Sequence, residues 1–389
     1  MNTMVNEQEQ LEQERMVLDT VDRFLERDVR PYVMELDHND IYPDEIVEKM
    51  KDLGLFGAII PEEYGGLGLR PSTYAKVIEK ISTVWMSLSG IINSHLIMAF
   101  IVMKKGTEAQ KQHFLPKFAT GELRGGLALT EPDCGTDLQA IRTLATKEGE
   151  NYLINGTKTW ISNGIKGTCF ATLVKTNPGA EPRHKGMSMF LTVKDTGFEA
   201  SKKLEKLGYK GIDSAELIFD NYRVPEFNLI GGREGFGMAC AIAGLELGRV
   251  NVAARGVGVA QAALDESVKY SQQRKTFGKP ICEHQAIAMK LADMATRVSA
   301  SRLLVEQAAN ALDRGDRCDF EAGMAKLYAT EAATKNALDA MRIHGGYGYS
   351  KEFPVERLYR DAPLLCIGEG TNEIQRLVIA KRLIENNPI

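Results

Sequence analysis

Several short segments place a hydroxyl, a charge or a glycine where folding alone does not ask for one. Glu369 stands between Gly368 and Gly370, with Thr371 and Asn372 next as candidate helix caps. A carboxylate between two glycines is mobile, and beside a helix N-terminus it can reach into a cavity as a general base, although a plain solvated turn has the same composition. In Thr159-Trp160-Ile161-Ser162, strand alternation sets the Trp160 ring beside the Ser162 hydroxyl, a wall and one hydrogen bond for an aromatic cofactor. A tryptophan at a strand end can equally cap a core. Arg274-Lys275-Thr276-Phe277-Gly278-Lys279, followed by His284-Gln285, flanks a glycine turn with cations near a helix start. That suits a phosphate, or a solvated connection between helices. Arg342-Ile343-His344-Gly345-Gly346 interrupts a helical pattern and frees backbone N–H groups. Leu127-Ala128-Leu129-Thr130-Glu131-Pro132-Asp133-Cys134-Gly135-Thr136-Asp137 combines turn formers with hydroxyls and carboxylates at the start of a strand-rich region.

The elements that hold these segments follow a simple order. Up to residue ~122 the apolar spacing is helical; Pro43-Asp44-Glu45 opens one helix and Leu53-Gly54 closes it, another begins near Pro71, and Thr107 caps a further one. From 123 to 231 the period shortens to that of strands, with Asn155-Gly156 predicting a hairpin turn between 151–154 and 157–161. From 232 to 389 long helices return, over 238–273, 285–314, 320–344 and 372–385, as expected of a four-helix bundle. The fold class is therefore α+β multi-domain, with an N-terminal α-helical domain (1–122), a middle β-barrel or sandwich (123–231) and a C-terminal four-helix bundle (232–389).

Composition narrows the function. Lys and Arg total 48 against 52 Asp and Glu, a net charge of −4 that leaves no global positive field for nucleic acid or an anionic membrane. The six cysteines form no C-x-x-C pair, which argues against a zinc site or a disulfide framework and fits a reducing compartment. The polar, acidic start MNTMVNEQEQLEQER resembles neither a signal nor a transit peptide, so a cytoplasmic location is expected. Residues 81–103 carry no Asp, Glu, Lys or Arg and are long enough to span a bilayer. Their Ser, Thr, Asn and His residues, with Gly90 breaking the run midway, read instead as a buried helix pair walling an apolar cavity. No membrane span and no metal site are expected.

Taken together, LALTEPDCGTD, TKTWISNG, RKTFGKPI, RIHGGYGY and EGTNEIQR resemble the acyl-CoA dehydrogenase family, in family order over nearly the whole chain. The resemblance is to the short- and medium-chain type with a C-terminal glutamate base. It implies a flavoenzyme that binds FAD and dehydrogenates an acyl-CoA thioester, passing electrons to electron-transfer flavoprotein. The same site could run as an enoyl-CoA reductase, and a non-catalytic CoA-ester-binding relative is the alternative of another class. By match, Glu369 would be the base, its backbone N–H and a ribityl hydroxyl of FAD holding the enolate oxygen. Leu127, Leu129, Thr130, Gly135 and Thr136 would line the flavin; Trp160 and Ile161 would wall it, and Ser162 would bond its N5. Arg274 and Thr276 would hold the pyrophosphate, with Gln285 near the adenosine. Arg342, His344, Gly345 and Gly346 would present backbone from a neighbouring subunit, and Thr371 and Glu373 would contact the cofactor beyond the base. Such a shared site implies a homo-oligomer, usually a tetramer.

For the substrate, the resemblance assigns Thr136, Glu246, Arg249, Glu369 and Gly370. Where some relatives carry the base on the first bundle helix, this chain has Gly248, which leaves Glu369 alone in the role. Gly368 stands where many members have tyrosine, and Arg255 is an unexpected charge in an Ala/Gly-rich helix. The lack of Arg or Lys over 81–103 disfavours a dicarboxylyl-CoA unless a cation comes from elsewhere. Met98, Phe100 and Met103 favour an apolar acyl group.

Overall fold

The computed structural model describes residues 2–194 and 197–388, with side chains from residue 12 onward. Six helices come first: α1 (Asn2–Phe24), α2 (Val33–His38), α3 (Asp44–Asp52), α4 (Pro71–Val84), α5 (Met86–Lys105) and α6 (Glu108–Ala119). Local chemistry places their ends. α3 carries Asp44 and Glu45 in its first turn, where the helix dipole favours negative charge, and stops before Gly54 in the left-handed region. Pro71 is the first residue of α4, and Thr107 and Gln110 make a reciprocal capping box on α6. The charge-free run is two helices, as expected, but they part at Trp85, whose extended backbone separates α4 from α5. Gly90 does not break α5. It makes room: a Cβ there would overlap the Tyr209 hydroxyl. By length and composition α5 could cross a membrane, yet it is mostly buried in the core of this fold.

The middle region is one seven-stranded sheet of β1 (Gly125–Ala128), β2 (Leu144–Glu148), β3 (Asn151–Ser162), β4 (Cys169–Lys175), β5 (Met187–Val193), β6 (Phe198–Ala200) and β7 (Ser214–Pro225). The order is β1-β4-β2-β3-β7-β6 with β5 also on β4, and the pairs are antiparallel except that β1 and β2 run parallel to β4. The hairpin expected at Asn155-Gly156 is absent: β3 runs through it, and the tight turn lies earlier, where Glu148 pairs with Asn151. Asn155-Gly156 is instead a slip in the β3–β7 register. Gly156 is needed there because Thr143 packs where its Cβ would be.

The C-terminal region contains α7 (Gly237–Gln273), a small hairpin of β8 (Lys275–Thr276) and β9 (Lys279–Pro280), then α8 (Gln285–Asp313), α9 (Asp319–His344), α10 (Val355–Ile367) and α11 (Asn372–Glu385). α10 is an addition to the expected set; Pro354 before it and Pro363 inside it mask its pattern. α7, α8, α9 and α10 form the bundle, and α11 lies on α9. With 37 residues, about 55 Å, α7 is the axis, packed also against α4 and α5. Its glycines permit that closeness: Gly256 abuts the backbone of Ala329, and Gly258 the backbone of Glu79.

Candidate active site

The link between α10 and α11 carries Glu369. Thr371 caps α11, its hydroxyl accepting from Ile374 N at 3.4 Å, so the preceding residues must turn sharply. Glu369 has φ +56°, a left-handed conformation costing a side-chain-bearing residue ~1–2 kcal/mol, and Gly370 follows at φ +88°. Two buried side chains hold the turn. Lys326 Nζ on α9 donates to Gly370 O and Asn372 Oδ1, both at 2.9 Å, and Gln375 Nε2 donates to Gly370 O at 3.0 Å. The turn throws the Glu369 carboxyl onto α7: a Cβ on Gly248 would lie 2.8 Å from its Oε2. The two positions at which relatives could place a base thus meet at one point in space.

Burial pushes the Glu369 pKa up, while Arg255, then Arg249, then Lys326 oppose that rise without cancelling it. Arg249 and Glu246 sit on the same stretch of α7; burial lowers the arginine's pKa against the pull of Glu369, Asp319 and Glu246, and burial followed by Asp319 raises that of Glu246. Lys326 and Gln375 escaped the sequence analysis. The available signal for Lys326 was a lone lysine on an alanine face (Ala322, Ala325, Ala329); it is fully buried, which pushes its pKa down to about 8. Of the apolar residues expected near the acyl group, Met98 and Phe100 are buried and Met103 is half-buried. The α5 side chain that touches the Gly248 position is Ile97.

The ends of β1 and β3 build a second surface. Strict alternation fails at Trp160, where the β3–β7 register slips between Lys158 and Ile161. Trp160 has φ +60° and is 58% exposed, while Thr159 and Ile161 are buried and Ser162 is half-buried beside the Tyr209 hydroxyl. The bulge, not the pleat, frees the indole. The 129–137 loop is stiffened from below by a buried ion pair that the sequence did not disclose. Glu131 accepts from Lys158 Nζ at 2.7 Å and from the Arg142 and Thr143 amides at 2.5 and 3.0 Å. Lys158 also donates to Leu129 O at 3.1 Å, and Thr159 N donates to Thr130 O at 2.9 Å. Leu127 and Thr130 are half-buried, Leu129 is buried, and Gly135 and Thr136 are exposed. Asn163 was quoted only as part of a motif; its amide ties β3 to Ile91 O on α5 and Gly125 O on β1, at 3.0 and 2.9 Å.

The remaining predicted residues collect elsewhere. Arg274, Thr276, His344, Gly345 and Gly346 line a cavity of about 580 Å³, which includes neither Trp160, Ser162 nor Glu369. Gly345 and Gly346 have open space above them, as a backbone donor surface requires. His344 is fixed by stacking on Tyr270 (ring centroids 4.2 Å apart) and by a 2.8 Å bond between Nδ1 and Ala340 O; burial lowers its pKa. Arg342, and Gln285 at the start of α8, are exposed, whereas Glu373 is exposed on α11 beside Thr371.

Family models for the acyl-CoA dehydrogenase N-terminal, middle and C-terminal domains match residues 11–122, 126–222 and 235–384. The chain belongs to the acyl-CoA dehydrogenase family. It is 44% identical over 379 residues to an acyl-CoA dehydrogenase of Bacillus subtilis, covering 97% of this chain and 98% of that one. It is 39% identical over 389 residues to the mouse mitochondrial short-chain specific acyl-CoA dehydrogenase, covering 99% and 93%. The structure of butyryl-CoA dehydrogenase from Megasphaera elsdenii superposes with a TM-score of 0.93 at 36% identity, covering 96% and 98%.

Acyl-CoA dehydrogenases are FAD-dependent oxidoreductases acting on CH–CH bonds. The donor chemistry fits that cofactor. The exposed Trp160 face and the Ser162 hydroxyl suit a flavin ring, while Arg274, Thr276 and the uncovered Gly345-Gly346 backbone suit a pyrophosphate.

Proposed function

We propose that this acyl-CoA dehydrogenase oxidises the Cα–Cβ bond of an acyl-CoA thioester to the 2-enoyl-CoA and hands the electrons to electron-transfer flavoprotein. The observation that carries this reading is the Glu369 carboxyl, buried against Gly248 on a turn held by Lys326. Bound FAD supplies the acceptor for the β-hydride. Glu369 removes the α-proton; its raised pKa brings it closer to that of the weak carbon acid than a solvated carboxylate would be. Among the described residues the Glu369 N–H has no acceptor, which leaves it free to donate to the thioester oxygen as negative charge develops there. Arg249, Glu246 and Gly370 bound the site near the base, and the exposed Thr136 meets the thioester or pantetheine arm.

Trp160 and Ser162 wall the flavin, with Leu127, Leu129, Thr130, Gly135 and Ile161 behind them and Thr371 and Glu373 on the far side. The Arg274–Thr276 and His344–Gly346 cavity serves the dinucleotide of a neighbouring subunit, which makes the enzyme a homotetramer, and it works in the cytoplasm. The cavity's separate lining, without Trp160, Ser162 or Glu369, supports the shared site.

Anaerobic titration of the purified yellow protein with short acyl-CoA thioesters tests the reading. Bleaching of the flavin absorbance is expected, with loss of bleaching but retained FAD in Glu369→Gln. A protein that binds CoA esters and stays yellow with all of them is a non-catalytic relative, and the reading fails.

A further inference from the structure

Arg255 lies seven residues beyond Gly248 on α7, two helical turns and about 10 Å along the same face, and it is only 6% exposed. Among the described residues its hydrogen bond is to Tyr209 Oη at 3.2 Å, its Nε has no partner, and no carboxylate lies within ion-pair distance of it, Glu369 acting on it from further off. Buried guanidinium groups are normally paired, because an uncompensated charge out of water is costly. The surroundings add two tyrosine hydroxyls, and the carboxylate whose field reaches the junction is the base Glu369. The Tyr74 hydroxyl of α4 is buried, unpartnered and within the field of Arg255. Tyr209 is held in the left-handed region with its amide on Asp361 at 2.5 Å, and Gly90 admits its hydroxyl to the same junction. Arg255 is also the leading cation acting on Glu369, so this cluster adjoins the base.

We propose that Arg255, with the Tyr74 and Tyr209 hydroxyls, binds a carboxylate at the far end of a short acyl group, so that the preferred substrates are C5–C6 dicarboxylic mono-CoA thioesters. The inference rests on the dehydrogenase reading. Lengths agree with it. An arginine side chain on a helix leans toward the N-terminus, here back toward Gly248, so the span from base to guanidinium is somewhat under ~10 Å. A hydrogen bond of about 2.8 Å at the distal end leaves room for three to four carbon–carbon bonds between Cα and the carboxylate. The cation that the 81–103 segment lacks is thus supplied by α7.

Anaerobic flavin reduction with glutaryl-CoA and with pentanoyl-CoA, chains of equal length, tests it in the FAD-loaded protein. The native chain should favour glutaryl-CoA in kcat/KM by tenfold or more. Arg255→Gln should lower that ratio by about a hundredfold, the loss expected when one partner of a buried ionic contact is removed. Arg255→Lys should restore part of it, and Tyr74→Phe should raise KM for glutaryl-CoA more than for pentanoyl-CoA. A purely structural arginine would weaken both substrates alike. Equal or better use of pentanoyl-CoA by the native chain, or an unchanged ratio in both Arg255→Gln and Tyr74→Phe, overturns the proposal while leaving the dehydrogenase reading intact. Failure of every thioester to bleach the flavin removes both.

Discussion

Replacing Gly248 by alanine isolates the geometry of the base from the stability of the fold. The added methyl would stand 2.8 Å from Glu369 Oε2 and 3.0 Å from its Cδ, whereas ordinary contact begins near 3.4 Å, so the carboxyl must retreat by 3.4 − 2.8 = 0.6 Å. A misplacement of ~1 Å in a reacting group costs on the order of a hundredfold. On a logarithmic scale the 0.6 Å shift corresponds to roughly a fifteenfold slower proton abstraction. Glycine to alanine inside a helix favours folding by ~1 kcal/mol, so thermal stability should hold or rise, apart from the 3.1 Å contact the methyl would make with Ile97 Cδ1. Stopped-flow flavin reduction under anaerobic single-turnover conditions, at saturating thioester, reads the chemical step directly. Unaltered reduction in a Gly248→Ala protein with native FAD content would show that the Glu369 carboxyl does not work from above Gly248, and the proposed mechanism would lose its base.

Glu369→Gln should abolish flavin reduction by several orders of magnitude while leaving the FAD spectrum intact, and near-native reduction would remove Glu369 from the mechanism. Because burial raises the Glu369 pKa, its contribution to stability is full at low pH and is lost as pH rises through the raised value; Glu369→Gln should therefore match or exceed the native chain in denaturant midpoint at alkaline pH. For the same reason native flavin reduction should climb with pH to a plateau as the carboxyl ionises. Lys326→Met withdraws one of the cations that oppose the shift and takes a charged donor from Gly370 O and Asn372 Oδ1, which keep Gln375 and Thr330, so the climb should move to higher pH and stability should fall by ~1–3 kcal/mol; an unmoved pH profile would refute the link. Glu131→Ala leaves Lys158 buried without its counter-ion, and unfolding in denaturant should show a loss of ~3–5 kcal/mol with weakened FAD retention.

Much of this was legible along the chain. Helix ends came out within a residue or two wherever a proline, a cap or a left-handed glycine marked them, as at Asp44, Pro71 and Thr107. The failures have local causes. Asn-Gly is a strong turn signal, but β7 pairs continuously enough with β3 to turn Asn155-Gly156 into a bulge, and a second bulge frees Trp160 by a route alternation does not describe. α10 was hidden by its own prolines. Lys326, Gln375, Glu131 and Lys158 are buried polar residues whose partners lie far away in sequence, and residue type alone cannot tell a buried lysine from a solvated one.

The sequence by itself determined the α, then β, then α order, the glycines around Glu369 and the motifs that carry the family, because periodicity, turn chemistry and motif spacing are properties of neighbouring residues. Only the tertiary structure decided that Glu369 meets Gly248, that Gly90 admits Tyr209, and that Arg255 is buried with its Nε unpartnered among the described residues. Those facts depend on which helix faces pack together, and a helical pattern says which side of a helix is apolar without saying what lies against it.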